Sequence, residues 1–231
     1  MANAILSAAE KGLQNAGSDP VVIETIWLLM RLPVAARTDD FTAALLRSGL
    51  HVTDDPSLME LVAAVSGAID TKAQRAGRSE LGEMAQMAAV ETLTEVIGSR
   101  LNTLFGPSPE QVQAEVAKLR TNIQFGLFAK DFFARFVFKT LTFFLSRTLP
   151  DHVGEGRRFS TLAEQAAFTA ALDAHCREAA KVVEAYSGDW LMKHNYEADG
   201  RISREEVAGF TSYAMTKLVA ELRLGVPSDA A

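Results

Sequence analysis

The sequence contains little that would cross-link the chain or carry it through a membrane. It has one cysteine, which excludes an internal disulfide and favours a reducing compartment. Its longest stretch without Asp, Glu, Lys or Arg is Val207–Thr216, about half the length of a bilayer-spanning helix. No basic segment precedes Glu10, so a signal peptide is not expected. We therefore expect a cytoplasmic protein without a membrane span.

Charge is spread unevenly along the chain. The net charge is −6, yet residues 118–158 carry a net charge of +5 between two acidic flanks. An acidic protein is a poor general binder of nucleic acid, because affinity for the phosphate backbone grows with the number of phosphates neutralised. No nucleic acid is therefore expected as a partner. The basic segment faces either an acidic partner or the protein's own acidic flanks, and we favour the second.

Helix-forming residues dominate, and no segment alternates polar and apolar residues for long enough to predict a strand. Helix starts are indicated by two pairs with capping-box spacing, Ser57 with Glu60 and Ser108 with Gln111. The sequence predicts an all-α fold, an antiparallel multi-helix bundle of eight or nine helices.

Breakers and caps also predict where individual helices end. One helix is expected to end before Pro33, and another, starting at Thr161, is expected to end near Gly188. Residues 109–148 are expected to form one long helix that bends near Gly126.

This long stretch contains eight of the 13 phenylalanines, between Phe125 and Phe144. A helix that is apolar over more than half of its circumference is normally buried on several sides, so we expect it to be the centre of the bundle. The Gly-Pro-rich break before it predicts an N-terminal helical subdomain, 1–105, and a C-terminal bundle, 108–231, which could also form one continuous domain.

Residues 195–206 have the spacing of a calcium-binding loop. Oxygen ligands are required at positions 1, 3, 5, 9 and 12, with glycine at 6 and an aliphatic residue at 8. The loop resembles that of the EF-hand family over about 12 of 231 residues, although asparagine and glutamate stand at positions 1 and 3 and Gly188 is expected to shorten the entering helix. The resemblance implies calcium as a possible cofactor. The implied ligand positions are Asn195, Glu197, Asp199, Arg201, Ser203 and Glu206.

The same loop has an interpretation without metal. Asp199-Gly200 is a turn signal, and Ser203 with Glu206 has the spacing of a capping box for the last helix.

A second polar cluster lies in residues 150–158, whose composition predicts a loop. It is a candidate site for an anionic or polar contact, through Asp151, His152, Arg157 and Arg158.

The sequence shows no base near Cys176 that could activate it as a nucleophile, so we expect a buried structural thiol.

No catalytic constellation is visible in the sequence, while its charge segregation and aromatic content suit assembly. We therefore expect a non-catalytic interaction protein, an accessory or scaffold subunit that binds another protein or a second copy of itself. Three alternatives stay open at this point. They are an enzyme using the 150–158 loop, a calcium-responsive protein using residues 195–206, and a membrane-active effector using the phenylalanine-rich helix.

Overall fold

A computed structural model describes residues 10–101, 106–146, 161–197 and 202–224. Within these ranges the chain is helical and contains no strand, which confirms the predicted all-α class. A helical segment at residues 10–15 leads through a 3₁₀ turn into nine α-helices. These are α1 (Pro20–Ala35), α2 (Phe41–Arg47), α3 (Leu58–Ala76), α4 (Glu80–Thr92), α5 (Pro109–Lys118), α6 (Asn122–Ser146), α7 (Leu162–Ala179), α8 (Lys181–Glu197) and α9 (Arg204–Leu224).

Helix starts agree with the local capping signals. Ser57 with Glu60, and Ser108 with Gln111, form complete capping boxes in which side chain and backbone bond reciprocally. The Thr161 side chain accepts a hydrogen bond from the backbone of Glu164. Signals that need only neighbouring residues are therefore satisfied as predicted.

The end predicted before Pro33 is wrong, because α1 continues through this residue to Ala35. Proline removes one backbone donor and normally breaks a helix interior. Pro33 lies only two residues before the end of α1, and it is buried together with Leu32 and Ala35. Burial in the core offsets the loss of a single hydrogen bond in the last turn.

The stretch predicted as one helix over residues 109–148 is two helices, α5 and α6, and the break lies before Gly126. Leu119 and Arg120 donate to carbonyls three residues earlier, which tightens and ends α5. Thr121 then accepts a hydrogen bond from the Gln124 amide and starts α6. The missed signal was a threonine cap three residues before a glutamine.

Gly126 and Gly188 lie inside helices and permit close contact between them. A Cβ atom at Gly126 would lie 2.7 Å from the backbone carbonyl oxygen of Glu184, in α8. One at Gly188 would overlap Asn122, at the start of α6. The predicted helix end near Gly188 is therefore wrong: the break falls at Ala180, and α8 runs through the glycine.

The aromatic rings of α6 form a large part of the hydrophobic core. Helix α6 packs against α4, α7 and α8. Phe132 and Phe136 stack with ring centroids 6.0 Å apart, and Phe133 contacts Phe210 of α9 at 6.1 Å. Five rings are at most 3% exposed, those of Phe125, Phe128, Phe132, Phe133 and Phe136.

Acidic residues of the same chain pair with every basic side chain in the described part of the basic segment except Arg120. Arg135 contacts Asp131 at 2.7 Å and Glu95 at 2.9 Å, and Lys139 contacts Glu91 at 2.7 Å. Lys130 also pairs with an acidic residue of α8. The expectation that the basic segment faces the protein's own acidic flanks is confirmed for these residues.

One hydrophobic core contains residues from both sides of the break around Gly106. The division into 1–105 and 108–231 stays a prediction. None of the helices in the described ranges combines the length and apolar character that crossing a bilayer requires.

Removing a ring from α6 should destabilise the protein severely. Phe136→Ala removes a fully buried side chain, so we expect the free energy of unfolding to fall by about 3–5 kcal/mol. Phe138→Ala, at a partly buried position of the same helix, is the control and should cost less. Urea unfolding followed by circular dichroism measures both. A loss below about 1 kcal/mol for Phe136→Ala would show that this ring does not support the core.

Candidate functional site

A groove of about 1080 Å³ opens along helix α3. Residues from the end of α2, the outer face of α3, α1 and the first residue of α9 line it. Its charged and aromatic lining includes Glu24, Trp27, Arg47, Lys72, Arg75 and Arg204. Segments far apart in the sequence therefore meet at this surface.

Small side chains of α3 form the floor of the groove. Ala64, Gly67, Ala68 and Thr71 recur at helical spacing on the face opposite the buried Val65 and Ile69. Apart from the backbone of α3 itself, no atom of the described residues lies within 4 Å of the position that a Cβ would take at Gly67. The groove is open because this face of α3 carries almost no side-chain volume.

Three contacts between Glu24, Trp27, Ile202 and Arg204 join α1 to α9, and we call this group the latch. The Trp27 indole Nε1 donates to the Ile202 carbonyl at 2.8 Å. The Arg204 guanidinium lies 3.9 Å from the centre of the Trp27 ring, a cation–π contact. Arg204 Nη2 donates to Glu24 Oε1 at 2.6 Å, and its Nε bonds the other carboxylate oxygen. Glu24 is only 7% exposed, and these charge-assisted bonds compensate for its burial.

Positive charge collects around the latch. Arg47 and Arg75 are exposed and make no ion pair with any described residue, while the Lys72 ammonium is 4.0 Å from Glu24. Burial, and then the nearby positive charge of Arg47, lower the pKa of Arg31. The hydrogen bonds that Arg204 donates to Glu24 instead raise the pKa of Arg204. The groove is thus a locally cationic surface on an acidic protein.

A second cavity of about 700 Å³ lies beside the polar strip of α6. Its charged residues already neutralise one another: Arg135 and Lys139 bind Glu91, and Arg177 binds Asp173 at 2.9 Å. A ligand would have to displace these ion pairs. This cavity is therefore a weaker candidate than the groove.

The site residues predicted in the 150–158 loop, Asp151, His152, Arg157 and Arg158, lie outside the described residues. Their role stays a prediction.

The calcium-loop residues are described only in part. Asp199 and Arg201 lie outside the described residues, and Glu197 is the last residue of α8. Asn195 is buried in α8, and its Oδ1 has no hydrogen-bond partner among the described residues. The entering helix is not shortened at Gly188, so that part of the expectation is wrong.

Ser203 and Glu206 form the capping box that the interpretation without metal predicts. Glu206 Oε2 accepts from the Ser203 amide at 2.7 Å, and the Glu206 amide donates to Ser203 Oγ at 3.2 Å. The hydrogen bonds that the Ser203 amide and hydroxyl donate to the Glu206 carboxylate lower the pKa of Glu206. Across the described ranges, no group of three or more His, Cys, Asp or Glu residues is placed to hold a metal ion.

Cys176 is a buried thiol, as predicted. Burial raises its pKa to about 12, so the nucleophilic thiolate is strongly disfavoured. Its neighbour His175 donates from Nε2 to the Leu222 carbonyl at 2.9 Å and so helps to hold α7 against α9.

The groove was not predicted from the sequence. The alanines and glycine of α3 are unremarkable as helix formers, and Glu24 and Arg204 are 180 residues apart. The one local signal is the small-residue face of α3 followed by Lys72 and Arg75.

The thiol should be almost inert in the folded protein. A pKa of about 12 against 9.0 leaves roughly a thousandfold fewer thiolates at neutral pH. We therefore expect iodoacetamide to alkylate Cys176 at least about a hundredfold faster in urea than in buffer. Cys176 is the only cysteine, so mass spectrometry of the intact chain reads the reaction without ambiguity. Rapid alkylation of the folded protein would contradict the described burial.

Comparisons with known proteins do not assign this arrangement. No protein-family model matches the chain, and no curated protein or solved structure shows significant similarity to it. The functional assignment therefore depends on the geometry of the chain itself.

Proposed function

We propose that the protein is a non-catalytic α-helical interaction protein, an accessory or scaffold subunit of a cytoplasmic assembly. The observation that supports this function is the groove along α3. Its open floor of small side chains is bordered by Trp27 and by Arg47 and Arg75, which form no ion pair with described residues. A segment of another protein can approach such a floor closely and be held at its edges.

The lining of the groove suits binding better than catalysis. The Glu60 carboxylate is held by Ser57 in a capping box, and Ser48 Oγ donates to the Ala44 carbonyl at 3.3 Å. Glu60 is therefore not left to act as a general base, nor Ser48 as a nucleophile. His51 also lines the groove, and no carboxylate among the described residues is bonded to its ring to orient it as a base. Glu24, the buried acid of the site, is held by Arg204.

The rest of the fold supports a rigid presentation of this surface. We infer an antiparallel bundle around α6, whose buried rings and internal ion pairs leave outer helix faces for contacts. A reduced, buried Cys176 fits a reducing compartment such as the cytoplasm. A membrane-active role would require the phenylalanine rings to leave the core.

Filling the groove should abolish partner binding. Gly67→Phe puts a ring on the open floor, and Gly209→Phe puts the same ring on an exposed face of α9 where a Cβ also has open space. Tagged wild-type and variant chains are expressed in the native host, and co-purifying proteins are quantified by mass spectrometry. We expect a partner that wild type and Gly209→Phe retain and that Gly67→Phe loses by about tenfold or more.

Circular dichroism and urea unfolding establish that both variants are folded. A partner retained equally by both variants would place binding elsewhere and contradict the groove. Recovery of no specific partner, together with a monomer in solution, would contradict the interaction function itself.

Calcium binding by residues 195–206 is a second proposal, favoured by the buried Asn195 Oδ1 at loop position 1, which no described donor satisfies. Glu206→Gln removes the position 12 carboxylate but keeps an oxygen for the capping box. We expect calorimetry to detect calcium binding at or below about 1 mM in wild type and to lose it in Glu206→Gln. Absence of binding heat in wild type at that concentration would exclude a physiological calcium site.

A further inference from the structure

We propose that the groove along α3 binds an acidic segment of a partner protein, whose carboxylates pair with Arg47, Lys72 and Arg75 around the latch. This inference rests on the proposed interaction function and adds the chemistry of the partner. The local charge, the shape of the groove and the charge of the whole chain each support it.

The groove has more basic than acidic side chains, which favours a ligand with carboxylates. Its charged lining consists of the basic residues Arg47, Lys72, Arg75 and Arg204 and the acidic residues Glu24 and Glu60. Arg47 and Arg75 are exposed and make no ion pair with described residues, and Lys72 reaches Glu24 only at 4.0 Å. Glu24 is already bound through both oxygens to Arg204, so it neutralises little of the remaining charge. Acidic side chains arriving from outside would complete these pairs.

The length and shape of the groove favour a peptide as its ligand. Its floor follows one face of α3, a 19-residue helix about 28 Å long. A bound segment of about 16 helical residues would run most of that length. Ala64, Gly67 and Ala68 let its backbone come close, and Trp27 offers an apolar surface beside the cations. A small anion would use only one end of this surface.

The charge of the whole chain argues against nucleic acid. The protein carries a net charge of −6, which repels a long polyanion, and Arg47, Lys72 and Arg75 are few cations for a phosphate backbone. A short acidic segment places its charge at the groove alone.

A selection of peptides tests this chemistry before any partner has been identified. A phage library of random peptides of about 16 residues is selected on immobilised wild-type protein. Excess Gly67→Phe protein in solution removes peptides that bind elsewhere. We expect the recovered peptides to be enriched in Asp and Glu over the unselected library. Recovery of neutral or basic peptides, or of none that depend on Gly67, would overturn the proposal.

Charge reversal then tests the assigned residues. The best peptide, labelled with fluorescein, should bind the double variant Arg47→Glu/Arg75→Glu at least about tenfold more weakly than wild type. Lys181→Glu/Lys217→Glu makes the same charge change on exposed lysines outside the groove and should leave the affinity nearly unchanged. Arg47→Gln/Arg75→Gln should also weaken peptide binding, and it does so without placing acids at helix C-termini. An unchanged affinity in both arginine variants would overturn the proposal.

Two further measurements separate the alternatives. Raising the NaCl concentration from about 50 to about 300 mM should markedly weaken the binding of the peptide, because exposed charge pairs are screened. A single-stranded oligonucleotide of about 16 nucleotides that displaced the peptide at lower concentration would overturn the assignment to protein. If the cellular partner is lost with Gly67→Phe but kept with Arg47→Glu/Arg75→Glu, the interaction function stands and the acidic chemistry fails.

Discussion

Close contact between α6 and α8 is the constraint on which the rest of this structure depends. Helix α6 brings five nearly inaccessible phenylalanine rings into the core, and burying them requires neighbours on several sides. Gly126 and Gly188 make that possible, since a side chain at either position would collide with the facing helix. With the two backbones this close, Lys130 can also reach Glu184 across the contact. The polar strip of α6 then meets Glu91 of α4 and Glu95 of the π-helical turn that follows α4, so hydrophobic and ionic contacts fix the same helix.

The sequence predicted most of what depends on neighbouring residues, although the local Thr121 cap between α5 and α6 was missed. It missed what depends on distant residues. Ser57 and Ser108 could be read as caps because their partners are three residues away. The burial of the α6 rings followed from their number and periodicity. Gly188 was interpreted as a helix end because the contact that requires a glycine there is with Asn122, which lies 66 positions earlier in the chain. Pro33 was interpreted in the same way, although packing against the core keeps its helix intact.

The candidate site was hidden from the sequence for the same reason. Its floor is a run of ordinary helix-forming residues, and only the fold shows that this face of α3 lacks a neighbour among the described residues. Its cations come from three elements, and their excess over acids appears only when Arg204 is matched with Glu24. In the basic segment that the sequence did single out, Lys130, Arg135 and Lys139 are neutralised by acidic residues of the same chain. Among the described residues, the cationic groove is thus formed outside the basic segment, by residues from stretches whose sequence is acidic overall.

The latch has a consequence for how the chain acquires its structure during synthesis. Trp27 and Glu24 belong to the first long helix, while Ile202 and Arg204 are made about 180 residues later. Until the ribosome has extended the chain that far, the carboxylate of Glu24 lacks the guanidinium that compensates for its burial. The compensated burial of Glu24 is therefore completed only when α9 docks, and such long-range closure slows folding. Loss of α9 would accordingly remove the partner of Glu24 and destabilise α1.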